Sequence, residues 1–314
     1  MNKKLLGKII FCFIMGLVIA AYVYLTLNAP TPANTRPEFT LSGIQKILIQ
    51  FSFIGLMVVT WILGAVAVWQ AWYFSQTTNK GEFDTIFKNL SFGVGILLSA
   101  LIVATLIGQI RTYHPGNEDI RRVVTIAVNY VYVFAQFLGF WFFYKGFAVK
   151  EKKPGVYNHN IIVGIILTLV IGSFWVALIF SNPTRQVSGG PGITPSFYIS
   201  DLLIIATIIL PTLLGWFFGI TSSLRLADFS IEASDVNYQK AFSKLVSGVW
   251  LLILGFIILL GILSMGADRL LGLGLAAILI IIYVFIVVLL LAFWRIISGL
   301  KNLRHAEPAA SPVM

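Results

Sequence analysis

Eight stretches of the chain are almost free of charge and long enough to cross a bilayer, at about residues 9–27, 47–74, 92–110, 123–146, 161–180, 201–224, 245–266 and 273–298. Polar and charged residues crowd into the connections between them, the longest of which are about 20 residues. A hydrocarbon core about 30 Å thick needs roughly 20 apolar residues in helical form. Inside lipid each backbone amide needs an internal partner, and a helix supplies one. The pattern therefore predicts an all-α integral membrane protein with eight transmembrane helices and no soluble domain.

The apolar runs also repeat. The fourth run aligns with the eighth at an offset of 153, without gaps, pairing Tyr130 with Tyr283, Phe140 with Phe293, Trp141 with Trp294 and Gly146 with Gly299. The third aligns with the seventh at an offset of 155, pairing Phe87 with Phe242, Leu90 with Leu245, Gly93 with Gly248 and Leu97 with Leu252. The first and fifth agree more loosely, around "GLVIAAY" and "TLVIGSF". Order is preserved, so residues 1–150 and 155–303 read as two tandem four-helix membrane repeats, with 304–314 as a disordered tail. An even number of helices per unit makes the repeats parallel, related by an axis along the membrane normal.

"PEFTLS" at 37–42 and "PSFYIS" at 195–200 fall before the second and sixth runs and repeat at an offset of 158. Pro37 and Pro195 suit a loop or a first helical turn. Ser42 and Ser200 can accept hydrogen bonds from the free amides of a starting helix. Phe39 and Phe197 suit the headgroup layer. The motif predicts a repeated helix start; anion binding at two helix N-termini is the functional alternative. The five residues "SGGPG" at 188–192 account for the larger offset here.

Charge sets the orientation. With the N-terminus inside, fifteen Lys and Arg residues fall on inner segments and seven on outer ones (Arg36, Lys46, Arg111, Arg121, Arg122, Arg185 and Arg269). The positive-inside bias then places both termini in the cytoplasm. Compact loops and the basic bias point to the plasma (inner) membrane. Hydrophobic residues make up 58% and charged residues 11% of the 314 positions, and the mean hydropathy is +0.92. Anionic lipid headgroups account for the net charge of +10, so no nucleic-acid partner is expected. The basic, apolar N-terminus reads as a retained helix rather than a cleaved signal. Cys12, the sole cysteine, excludes an internal disulfide and is expected to be a buried small hydrophobe.

Ionisable groups within the membrane mark function because they are costly there. None lies in the middle third of any predicted helix, and His114, His159 and His305 lie in loops or the tail. This argues against a haem histidine pair, a retinal lysine, a carboxylate proton relay, a metal centre and a resident cofactor. Asn129 and Gln136, seven apart on one face of the fourth helix, are the most polar intramembrane positions; their counterparts are Ile282 and Leu289. They read as an interhelical hydrogen-bonding stripe or a substrate contact. Pro211 is expected to kink the sixth helix, and Gly215 and Gly219 form a small-xxx-small face for close packing. The inner loop 225–244, with Asp228, Glu232 and Asp235, is the candidate docking surface for a protein partner or a second copy.

Together these features point to a non-enzymatic scaffold or subunit of a membrane complex. The competing reading is a transporter or channel-like conduit for a neutral or lipidic small molecule.

Overall fold

The computed structural model describes residues 3–28, 43–77, 81–114, 117–147, 154–180, 203, 205–232, 236–272 and 275–306. The described residues form helices and no strand. They are α1 (Lys3–Leu27), α2 (Gly43–Thr77), α3 (Gly81–Tyr113), α4 (Glu118–Phe147), α5 (Pro154–Phe180), α6 (Leu210–Glu232), α7 (Val236–Gly272) and α8 (Leu275–Ala306). A π-helical turn, Ile205–Ile209, leads into α6. The hexapeptide residues Pro37, Phe39, Ser42, Pro195, Phe197 and Ser200 lie outside the described residues.

Seven helices, α2 to α8, are long and apolar enough to cross a membrane; the apolar described part of α1, Cys12–Leu27, is shorter. Large apolar side chains stand exposed on every helix, among them Phe13, Phe51, Val103, Phe134, Phe174, Leu214, Leu254 and Trp294. Such a continuous apolar exterior is tolerated only where the solvent is itself apolar. The architecture is that of a multi-pass helical membrane protein.

Neighbour relations close a ring of six helices. α2 packs on α3, α3 on α4, α4 on α6, α6 on α7, α7 on α8, and α8 back on α2, while α5 rides outside on α6 and α1 touches α2 and α3 only sparingly. Side chains fill the ring: Tyr132 and Phe140 of α4 meet Phe256 of α7 with ring centroids 6.3 and 6.1 Å apart. Lipid offers no hydrophobic drive between helices, so van der Waals fit and interhelical hydrogen bonds must hold them.

Glycines sit at the tightest crossings. A methyl group added at Gly64 of α2 would lie 2.8 Å from Leu98 of α3 and 3.2 Å from the Phe293 ring of α8. One added at Gly219 of α6 would lie 3.1 Å from Ile253 of α7 and 3.1 Å from the Phe140 ring of α4. At the α3–α4 crossing Gly93 faces the Gly139 carbonyl and the Phe143 ring, and at the α7–α8 crossing Gly248 faces the Ala292 carbonyl and Ile296.

Local capping follows the sequence. Asn117 caps α4, its Oδ1 accepting from Ile120 N at 3.1 Å. The last carbonyls of α1 are satisfied by neighbouring side chains: Tyr113 Oη donates to Leu25 O at 2.7 Å and Gln50 Nε2 to Thr26 O at 2.7 Å.

Two expectations fail. Of residues 225–244, read as an inner loop that could hold a short interfacial helix, 225–232 and 236–244 belong to the long helices: α6 continues to Glu232 and α7 starts at Val236. A helix leaving the hydrocarbon keeps its own hydrogen bonds satisfied, so charge alone does not end it. Cys12 is exposed rather than buried, because an apolar thiol facing lipid has no water to escape.

Candidate functional site

The seam between α4 and α6 gathers several intramembrane polar groups. At one end, Tyr130 Oη and Thr207 Oγ1 hydrogen-bond at 2.8 Å, and Thr207 also donates to Leu203 O at 2.6 Å. Thr207 lies in the π-helical turn. Pro211 follows, and its missing amide would leave the Thr207 carbonyl without an α-helical donor. Widening the turn is one way to absorb that loss and the ring clash.

One turn further in, Gln136 is fully buried, and its Nε2 reaches Thr212 O at 3.4 Å. Gln136 Oε1, Thr212 Oγ1 and Trp216 Nε1 are buried and have no hydrogen-bond partner among the described residues. Leaving such groups unpaired costs about 1–3 kcal/mol each. Gly215 brings the backbones together, since a methyl group there would lie 3.2 Å from Phe137 N. Asn129, the other sequence candidate, is half-buried two turns before Gln136 on α4. The seam continues through a ring cluster in which Trp141 and Tyr144 meet Phe218 at 4.9 and 5.1 Å.

The C-terminal end of α6 holds Arg225 together with two of the docking candidates, Asp228 and Glu232. Arg225 is 4% exposed; its Cζ lies 4.4 Å over the Tyr144 ring and its Nη2 is 3.4 Å from Tyr144 Oη. Asp228 is half-buried and accepts from Asn160 Nδ2 of α5. Its carboxylate is therefore turned inward, toward α5. Glu232 ends α6, and Asp235 lies outside the described residues. On α7, Lys244 Nζ donates to Ser298 Oγ of α8 at 3.0 Å. Helical spacing could have exposed Arg225 and Asp228 as one face, three residues apart, had 225–244 been read as helix.

Another pair of buried indoles also escaped the sequence reading. Trp61 and Trp216 are both fully buried. Trp61 meets Tyr22 of α1 in a tilted contact with ring centroids 4.8 Å apart, and Trp216 meets Trp175 of α5 edge to face at 5.3 Å. Their separation of 155 equals the offset that joins α3 to α7 and was a usable signal.

Among the described residues, no three His, Cys, Asp or Glu side chains cluster closely enough to hold a metal ion. Comparison with known proteins returned no matching family model, curated protein or solved structure.

Proposed function

We propose that this chain is a non-enzymatic component of a membrane assembly, built from two tandem four-helix units that share one orientation, with both termini on the cytoplasmic side of the plasma membrane. Reciprocal contacts support the doubling. Tyr130 of the first unit bonds Thr207 of the second, and Tyr283 of the second bonds Ser52 of the first. Gly64 lodges between Leu98 and Phe293, while Gly219 lodges between Ile253 and Phe140. Each member of one set lies 153 or 155 positions from its counterpart, the two offsets that align α4 with α8 and α3 with α7. Helix neighbours exchange in the same way: α3–α4 with α7–α8, α2–α3 with α6–α7, and α4–α6 with α8–α2. Contacts that swap in this manner characterise a twofold, self-complementary interface.

The observation that carries the structural role is the seam itself. Gly64, Gly215 and Gly219 bring helices of the two units into van der Waals contact, which favours a fixed body over a moving one. Partner docking then falls to the lipid-facing helices or the α6–α7 junction. Purification in native lipid followed by mass spectrometry tests this: a stoichiometric protein partner is expected, and solute uptake by the purified chain alone in liposomes overturns it.

A conduit for a neutral or lipidic solute is the second reading, favoured by the π-helical turn before Pro211 and the unpaired polar groups at Gln136, Thr212 and Trp216. In that case, tethering Tyr130 to Thr207 through paired cysteines should abolish flux.

Orientation has its own test. In a Cys12→Ala background, cysteines at Asn79 and Ser234 should react with an impermeant maleimide from the cytoplasmic side and one at Asn34 from the outside. Reaction of all three from one side removes the proposed topology.

A further inference from the structure

α1 and α5 are seated differently against the six-helix ring. Gly164 and Gly172 of α5 face Thr221 and Leu213 of α6 so closely that any side chain there would collide, and α5 lies flush. Tyr22 and Trp175 pack alike on Trp61 and Trp216; setting them in register puts Ile19 and Phe11 of α1 where α5 has Gly172 and Gly164. Ile19 is bulkier than the glycine it replaces, and nothing lies within 4 Å of where a Cβ at Gly16 would stand. Among the described residues, the hydrogen bonds of α1 to the ring lie at its C-terminal end, from Gln50 and Tyr113. The N-terminal half therefore stands away, leaving a groove of about 470 Å³ between α1 and α2, lined by Cys12, Met15, Ile19, Val66, Trp69 and Gln70. Met15 and Trp69 also border a second recess of about 670 Å³ against Phe92 and Leu138.

We propose that this groove holds one acyl chain of an anionic phospholipid, whose headgroup lies at the N-terminal end of α1. Volume decides against a partner helix: a helix about 10 Å across fills 470 Å³ with roughly one turn. A methylene has about the volume of a liquid water molecule, roughly 30 Å³, so the same space takes on the order of fifteen of them. Charge fits as well. α1 opens with Lys3, Lys4 and Lys8, the last one turn before Cys12 in the groove, and each basic residue near an anionic surface contributes about 1 kcal/mol. Gln70 Oε1 is buried at the groove with no donor among the described residues, and a hydroxyl-bearing headgroup supplies one.

The experiment is native mass spectrometry of the full chain, delipidated and titrated with dioleoyl phosphatidylglycerol or dioleoyl phosphatidylcholine. One phosphatidylglycerol should bind about tenfold more tightly than phosphatidylcholine, a gap of about 1.4 kcal/mol. Val66→Trp, a substitution at a surface position that fills the groove, should lose that lipid. Lys3→Gln, Lys4→Gln and Lys8→Gln together should keep one lipid but sharply reduce the preference for phosphatidylglycerol. Leu169→Trp, on the lipid face of α5, should bind as the unmodified chain does. Undiminished phosphatidylglycerol binding by Val66→Trp overturns the proposal, as does equal loss in Leu169→Trp. An undiminished headgroup preference after removal of the three lysines overturns the assignment of the headgroup.

Discussion

Tyr130 and Thr207 share a hydrogen bond of 2.8 Å across the seam between α4 and the turn leading into α6. Tyr283 and Ser52 make the corresponding bond between α8 and α2. These hydroxyls lie in otherwise apolar segments, where an unpaired polar group has no water to turn to. Each bond therefore ties two helices at a defined height, and the two bonds tie the ring at two separate places.

Tyr130→Phe and Tyr283→Phe should each lower stability by about 0.6–2 kcal/mol, the range for interhelical hydrogen bonds in membranes. Because the two bonds share no residue, the double variant should lose about the sum of the single losses. Unfolding by denaturing detergent in mixed micelles, followed by helicity, measures this. A double variant no weaker than either single one would contradict two independent ties.

Gly64→Leu and Gly219→Leu should both be destabilising by about 1–3 kcal/mol or more, because each side chain would enter a crossing already filled by a phenylalanine ring. Gly55→Leu and Gly108→Leu should be tolerated, since nothing lies within 4 Å of the position where their Cβ would stand. Thermal denaturation of the four variants in one detergent is the comparison that matters. If Gly55→Leu is as damaging as Gly219→Leu, close packing is not what the glycines are for.

The eight apolar runs were legible because bilayer thickness constrains length, and each coincides with a helix of the structure. The helical extent of residues 225–232 and 236–244 was underread because charge marks where lipid ends and not where the helix ends. Cys12 was misplaced by a rule learned from water-solvated interiors. Gln136 was found by polarity alone, yet its neighbours Thr212 and Trp216 were not, since helix packing decides which buried groups meet. Trp61 and Trp216 were overlooked because the hexapeptides suggested an offset of 158 for the second and sixth helices, whereas these indoles stand 155 apart.

Gln136→Leu should leave stability unchanged or raise it. The buried amide makes one long contact, 3.4 Å to Thr212 O, and leaves its oxygen unpaired. Replacing a poorly satisfied polar group by an apolar one of similar shape is close to neutral or stabilising. The equivalent position in the second half carries leucine already, at Leu289, which is buried. Denaturing-detergent titration reads the change. A loss above about 1 kcal/mol would mean that the amide has a further partner, such as water or a polar solute, and would strengthen the conduit reading.

Arg225 tests which part of Tyr144 matters. The guanidinium carbon lies 4.4 Å above the ring, whereas the hydrogen bond to the hydroxyl is long at 3.4 Å. A desolvated cation over an aromatic face is worth about 2 kcal/mol, and guanidinium stacks better than ammonium because it is planar and weakly hydrated. Tyr144→Phe keeps the face and should cost little, while Tyr144→Leu removes it and should cost about 1–2 kcal/mol beyond the phenylalanine variant. Arg225→Lys keeps the charge and should fall between them. Equal losses in the phenylalanine and leucine variants would shift the contact from ring to hydroxyl.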